Sequence, residues 1–320
     1  MAETLVILFA ALILDRLIGD PDWLWRRVPH PVVFFGKLIG WADTRFNDNG
    51  ASETRREKNG FATIAVLMIG AIVAGTFLGD LFDALGGAGF VLEAVLVAVF
   101  LAQKSLADHV GAVAQGLRAG GIDGGRRAVS MIVGRDPETL DEAGICRAAV
   151  ESLAENASDG VVAPAFWYAV FGLPGLLAYK MLNTADSMIG HKTDRHRAFG
   201  RASARLDDFA NWLPARLTAL LIVAAGGLDR WRDRIRTVMR DARLHRSPNA
   251  GWPESAMAAV SGLALGGPRV YRGDMADEPF MNDEGRKDTG PDDIDAALGV
   301  FWRAMTVLAV VAGVLAVLAG

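Results

Sequence analysis

Residues 61–79, FATIAVLMIGAIVAGTFLG, contain no charged side chain, and that run limits what the chain can fold into. A bilayer's hydrocarbon core is ~30 Å thick and takes about 20 apolar residues to cross as one helix. No water reaches the backbone there, so the segment must satisfy its own N–H and C=O groups. Residues 304–320 form a second clean run, with Arg303 at an edge where its head can snorkel to the interface. Residues 85–102 qualify apart from Glu93, which is then expected to face protein rather than lipid. Residues 4–14 are short and reach spanning length only by including Asp15 and Arg16. They lack a basic leader and a small-residue cleavage site, so an uncleaved first helix is expected.

Two further apolar stretches are interrupted. Residues 160–179 carry Pro164 and Pro174, and residues 209–228 carry Pro214 and Arg216. Proline frees a carbonyl, which a membrane tolerates only where protein or a wet cavity receives it. Broken or re-entrant helices are expected here as readily as full spans. Gly75 and Gly79 form a GxxxG pair, which is either a helix-packing notch or local looseness.

Between these segments lie polar loops: 22% of the chain is charged although 52% is hydrophobic. With 33 Lys+Arg against 37 Asp+Glu, the net charge of −4 points to no nucleic-acid partner. The single cysteine, Cys146, excludes an internal disulfide and reads as a buried, inert thiol. Lys and Arg crowd 20–60, 104–158, 180–206 and 226–250, whereas 80–89 has Asp80 and Asp83 and no basic residue. The positive-inside bias places the large loops in the cytoplasm and 80–89 outside. Residues 104–157 read as amphipathic helix broken at Gly120–Gly125, 229–246 as a strongly basic helix, and 268–297 as an ordered surface loop. The expected fold is all-α and polytopic, with about four to six membrane-embedded helices and helical cytoplasmic loops. Residues 1–320 are read as a single membrane domain, its active site formed by 104–158, 180–206 and 226–298.

The densest polar signal flanks 160–179. ESLAENASDG precedes it, with Glu151 and Glu155 at i, i+4, then Asn156 and Asp159. NTADSMIGHKTDRH follows it, with Asn183, Asp186 and Ser187. Oxygen-rich clusters of this kind suit Mg²⁺ bound together with phosphate. Arg135, Lys180, Lys192, Arg195 and Arg197 lie close in sequence and suit phosphate oxygens, or lipid headgroups. SPNAGWPESAM adds Asn249 and Glu254, positioned to reach a ligand from a rigid backbone or simply to shape a loop. No GxxxxGK[ST] occurs, so a P-loop is absent, and the histidines lack HExxH spacing.

In order, GDP…HPV, VGRD, ESLAENASDG, PGLLAYK…NTADSMIG, ARLDD and SPNAGWPE…LGG resemble the adenosylcobinamide-phosphate synthase family from about residue 12 to 273. Pro137 after VGRD and Ala264 depart from the family pattern and bear on substrate detail. The resemblance implies a bacterial cytoplasmic-membrane enzyme of late cobalamin biosynthesis, multi-pass, with its active site facing the cytoplasm. Such an enzyme joins the carboxylate of adenosylcobyric acid to the amine of an aminoalcohol phosphate, using ATP and Mg²⁺. It implies Glu151, Glu155, Asn156 and Asp186 in catalysis, and Glu155, Asp159, Asp186, Asp207 and Asp208 around the metal. Arg135, Lys180, Asn183, Ser187, Lys192, Arg195, Asn249 and Glu254 are then expected to hold substrate and phosphates. Partners are the lipid bilayer, and other late-pathway enzymes or a second copy of the chain. A transporter and a non-catalytic scaffold or sensor are the alternative readings.

Overall fold

The computed structural model describes residues 1–133, 137–191, 193–271, 274–276 and 278–320, and helices account for most of them. In chain order the first are α1 Ala2–Ile18, α2 Asp22–Trp25, α3 Pro31–Phe46, α4 Glu53–Ala84 and α5 Gly87–Phe100. Then come α6 Gln103–Val129, α7 Glu142–Asn156, α8 Ala163–Ile189, α9 Arg201–Ala210 and α10 Trp212–Ala225. The last are α11 Trp231–Asp241, α12 Gly251–Ser261 and α13 Pro291–Ala319. Among the described residues, Glu53–Ala84, Gly87–Val129, Glu142–Ile189 and Pro291–Ala319 are long and apolar enough to cross a bilayer. The protein is an all-α polytopic membrane protein.

Its contacts divide the chain into two compact units. One comprises Met1–Ala102, Ala163–Asn211 and Ala312–Gly320; the other comprises Gln103–Val162 and Trp212–Val311.

In the first unit α4 packs along α8, α1 along α5, and α9 against both α4 and α8. The α4–α8 approach depends on Gly75, where a Cβ would stand 2.6 Å from the Pro174 backbone. Gly79 faces open space. Of the GxxxG pair, only the first glycine is a packing notch. Val66, Ile69, Val73 and Phe77 on α4 stay exposed, as side chains solvated by hydrocarbon do. Glu93 does face protein: Tyr168 donates its hydroxyl to Glu93 Oε1 at 2.7 Å, tying α5 to α8. The 80–89 connection shrinks to Leu85–Gly86 between two helices. Helix α8 is interrupted at Gly172, whose φ of 63° only glycine adopts freely, two residues before Pro174. His30 caps α3 by accepting from Val32 N through Nδ1, which leaves Nε2 to donate to Val99 O at 3.1 Å. Burial lowers the pKa of this imidazole, although Asp20 opposes that.

In the second unit α6 breaks at Gly120–Gly121 and packs on α7, while α7, α10 and α11 pack on α12. The expected break within Gly120–Gly125 falls at Gly120–Gly121, but the helix expected over 104–157 also ends at Val129 and resumes as α7 only at Glu142. Helix α7 ends in a π-helical turn, Ala157–Val162. The apolar stretch from 209 becomes α10, whose 14 residues are shorter than a span requires. Residues 268–297 depart from the expected loop. Strand β1 Leu265–Gly266 pairs antiparallel with β4 Phe280–Met281, and β2 Arg269–Tyr271 with β3 Asp274–Ala276. The final helix begins at Pro291, well before the uncharged run, because proline at its start and acidic Asp292 and Asp293 in its first turn favour an N-terminus.

Gly75→Leu is expected to drive a side chain into the Pro174 backbone and destabilise the protein by about 1–3 kcal/mol. Gly79→Leu should be neutral. Unfolding temperatures of the two variants in detergent test this, and equal losses would remove the notch.

Candidate active site

The last turns of α8 carry Asn183, Asp186 and Ser187 at i, i+3, i+4, so they share one helix face. Asp186 is half-buried in the final turn, where the helix dipole is negative and no basic residue offsets it. The chain then turns sharply at Gly190, whose N–H donates to Asp186 O at 2.7 Å. A Cβ on Gly190 would fall 1.9 Å from Asp186 Oδ1, so the loop passes this carboxylate only as glycine.

Helix α9 brings a second carboxylate into the same unit. Asp207 is buried, accepting from Asn211 Nδ2 at 2.9 Å and from Asn183 Nδ2 at 3.4 Å. Asn211 in turn accepts the Tyr179 hydroxyl at 2.9 Å. Burial pushes the Asp207 carboxyl up, the negative charge of Asp186 pushes it further, and the two amides oppose both. Asp208 adds a smaller push in the same direction from the exposed face. Asp207, hydrogen-bonded to amides rather than to cations and beside the charge of Asp186, has the chemistry of an oxygen ligand for a hard divalent ion. Among the described residues, however, no three His, Cys, Asp or Glu side chains converge as one metal shell. The expected five-carboxylate shell is therefore not present as a single group. Asp186, Asp207 and Asp208 belong to the first unit, Glu155 and Asp159 to the second.

The expected phosphate cations divide as well. Arg195 grips Asp43 through Nε at 3.0 Å and Nη2 at 2.8 Å. Burial alone would raise the Asp43 carboxyl, but hydrogen bonds from Asn47 and Arg195 and the charge of Arg195 hold it low. Asn47 and the buried Arg56 then clasp the Arg195 carbonyl, and Arg56 Nε donates to Asn47 Oδ1 at 2.9 Å. This network locks the segment after α8 against α3 and α4, so Arg195 has a structural partner the sequence did not reveal. Arg197 pairs with Glu53 at 2.9 Å. Lys180 is half-buried on α8. Arg135 and Lys192 lie outside the described residues.

In the second unit Glu151 is buried, and its Oε1 accepts from Gly266 N at 2.7 Å, fastening α7 to the β1 turn. Glu155 and Asn156 are exposed one turn on, and Asn156 donates to Ser152 O at 2.9 Å. Asp159 sits half-buried in the π-turn. Asn249 is buried and accepts from Arg216 Nη1 at 3.1 Å. Arg216 itself lies between the Trp212 and Trp252 rings, 4.5 Å from each centroid. Glu254, also buried, has His245 Nε2 at 3.7 Å from Oε1. The sequence reading missed Tyr179, Asn211, Asp43 and His245. Asn211 alone left a local signal, standing four residues after Asp207 on a helix.

The family model for CobD/Cbib protein matches residues 8–301. The chain belongs to the CobD/Cbib family. It is 60% identical over 317 residues to a cobalamin biosynthesis protein CobD of Sinorhizobium fredii, covering 98% of this chain and 97% of the relative. It is 56% identical over 312 residues to the protein of that name from Brucella anthropi, covering 96% and 95%. A CobD of Rhodobacter capsulatus is 47% identical over 313 residues, covering 98% and 97%. No solved structure matches the chain.

Because the folded-state pKa of Asp207 is raised, the folded protein binds a proton that the unfolded chain has lost. Without divalent metal, stability should therefore fall as pH rises above the ordinary carboxylate range. Asp207→Asn should flatten that fall. Thermal unfolding across pH in chelator tests it, and an unchanged slope in Asp207→Asn would exclude this carboxyl as the source.

Proposed function

We propose that the chain is an adenosylcobinamide-phosphate synthase acting in cobalamin biosynthesis, a carbon–nitrogen ligase that spends ATP. The observation that carries this reading is membership of the CobD/Cbib family across residues 8–301. The substrates are adenosylcobyric acid and an aminoalcohol phosphate such as (R)-1-aminopropan-2-yl phosphate. The site faces the cytoplasm from a bacterial inner membrane, in keeping with the arginine-rich segments around α9 and α11.

A carboxylate does not react directly with an amine, because oxide would have to leave. In this reading the γ-phosphoryl group of ATP passes to a carboxylate oxygen of the corrinoid, giving an acyl phosphate and ADP. The amine attacks the acyl carbon, the C–O bond to phosphate breaks, and inorganic phosphate departs as the amide forms. Asp186 and Asp207 would hold Mg²⁺, which would supply charge neutralisation to the phosphoryl transfer. Asn183 and Asn211 keep Asp207 oriented.

Asp186→Asn is expected to keep the fold and lose ~10–100-fold in Mg²⁺ affinity or activity, with partial recovery at high Mg²⁺. Steady-state synthesis at varied Mg²⁺ tests this, and a near-normal rate would return this carboxylate to solvent. Carboxylate ¹⁸O of cobyric acid is expected to appear in inorganic phosphate. Label found in AMP would overturn the acyl-phosphate route.

A further inference from the structure

The first unit carries a groove of about 530 Å³ between α4, α8 and α9 that the proposed chemistry does not use. Met68 and Ile72 line it from the uncharged run of α4, Trp167, Phe171 and Tyr179 from α8, and Phe209 from α9. Only Trp167 and Tyr179 among these have a hydrogen-bonding side-chain group, and both are turned inward. Trp167 Nε1 donates to Ala210 O at 3.2 Å, and the Tyr179 hydroxyl donates to Asn211 Oδ1. The groove thus presents carbon to whatever enters it. A nucleotide, phosphate or other polar ligand would lose its hydration without replacement there.

The groove cannot simply close. The Gly75–Pro174 contact fixes the approach of α4 to α8, and the Trp167–Ala210 hydrogen bond fixes α8 to α9. Trp167 is further stacked on Phe171, with centroids 5.8 Å apart and planes 11° from parallel. Empty, such a space forfeits dispersion contacts along its whole wall. Ile72, Phe171 and Phe209 are themselves exposed, and the groove is continuous with the lipid-facing side of α4 formed by Val66, Ile69 and Val73. Its solvent is therefore hydrocarbon. We propose that this groove seats one acyl chain of a membrane phospholipid, held between α4, α8 and α9.

The full-length protein, extracted in mild detergent from membranes containing phosphatidylethanolamine, is weighed by native mass spectrometry. The wild type is expected to retain one phospholipid, and Ile72→Trp, which fills the groove from an exposed position, to lose it. Val66→Trp, on the same helix outside the groove, should retain it. Adding phosphatidylethanolamine to delipidated protein should raise the unfolding temperature of the wild type and Val66→Trp but not of Ile72→Trp. Met68→Trp serves as a second filling variant should Ile72→Trp fold poorly. A wild type that keeps no lipid and gains no stability from it overturns the proposal, as does equal retention by Ile72→Trp. A retained corrinoid or second chain in place of lipid overturns it too. None of these readouts depends on synthase activity.

Discussion

In hydrocarbon a main-chain N–H or C=O must find a partner in protein, and the long apolar helices answer to that constraint. Helix α4 meets the constraint by continuity, and over residues 61–79 it presents little but apolar side chains to its surroundings. The stretch Glu142–Ile189 meets it differently, through a π-turn at Ala157–Val162 and a break at Gly172. Such irregularities disturb regular pairing and let side chains be aimed off the helical repeat. Asp159 and Ser158 lie within the π-turn, and Asp186 lies at the end of the helix that follows it. Polar chemistry is thus collected where the helix is interrupted or stops.

That logic explains which features could be read from the residues. Charge-free runs define spans because length and polarity alone decide bilayer compatibility. Glu93 announced a protein partner because a lone carboxylate in such a run has few other fates, and Tyr168 supplies it. The prolines at 164 and 174 marked a disturbed segment, although the break itself falls at Gly172. The start of α13 at Pro291 was legible in principle from the proline and the acidic first turn, but the Asp- and Gly-rich context reads as loop. The Asp43–Arg195 pair bridges 152 positions, and the Glu151–Gly266 contact bridges 115; no local pattern encodes either.

The arginines make the same point about the candidate site. Counted along the sequence, cations near the acidic blocks suggest phosphate binding, but a guanidinium is defined by its nearest partners. Asp43 engages Arg195, and Arg56 and Asn47 hold the Arg195 carbonyl, so the residue does structural service whatever else it meets. Arg216 is enclosed by two indoles and hydrogen-bonds to Asn249, an arrangement that a lysine's point charge could not reproduce. Carboxylates divide likewise. Asp43 is held low by its cation, while Asp207 is pushed up by burial and by Asp186. The same residue type, half-buried beside a cation and buried beside another carboxylate, is therefore shifted in opposite directions.

The side chain that makes the second case workable is Asn211. Its carbonyl oxygen accepts the Tyr179 hydroxyl while its NH₂ donates to Asp207, and all three groups are buried. An amide offers an acceptor oxygen and a separate donor NH₂ on one short stem. An aspartate there would set another negative charge against Asp207, and a leucine would strand a buried hydroxyl and a buried carboxylate oxygen, at about 1–3 kcal/mol for each neutral group and more for a charged one. Four residues separate Asp207 from Asn211, so one turn of α9 continued to its C-cap sets the spacing. The relay thereby joins the apolar wall of α8 to the acidic pair, with no water needed to complete it. A carboxylate with unfavourable charge is kept buried and oriented in this way by neighbours that leave its charge unneutralised.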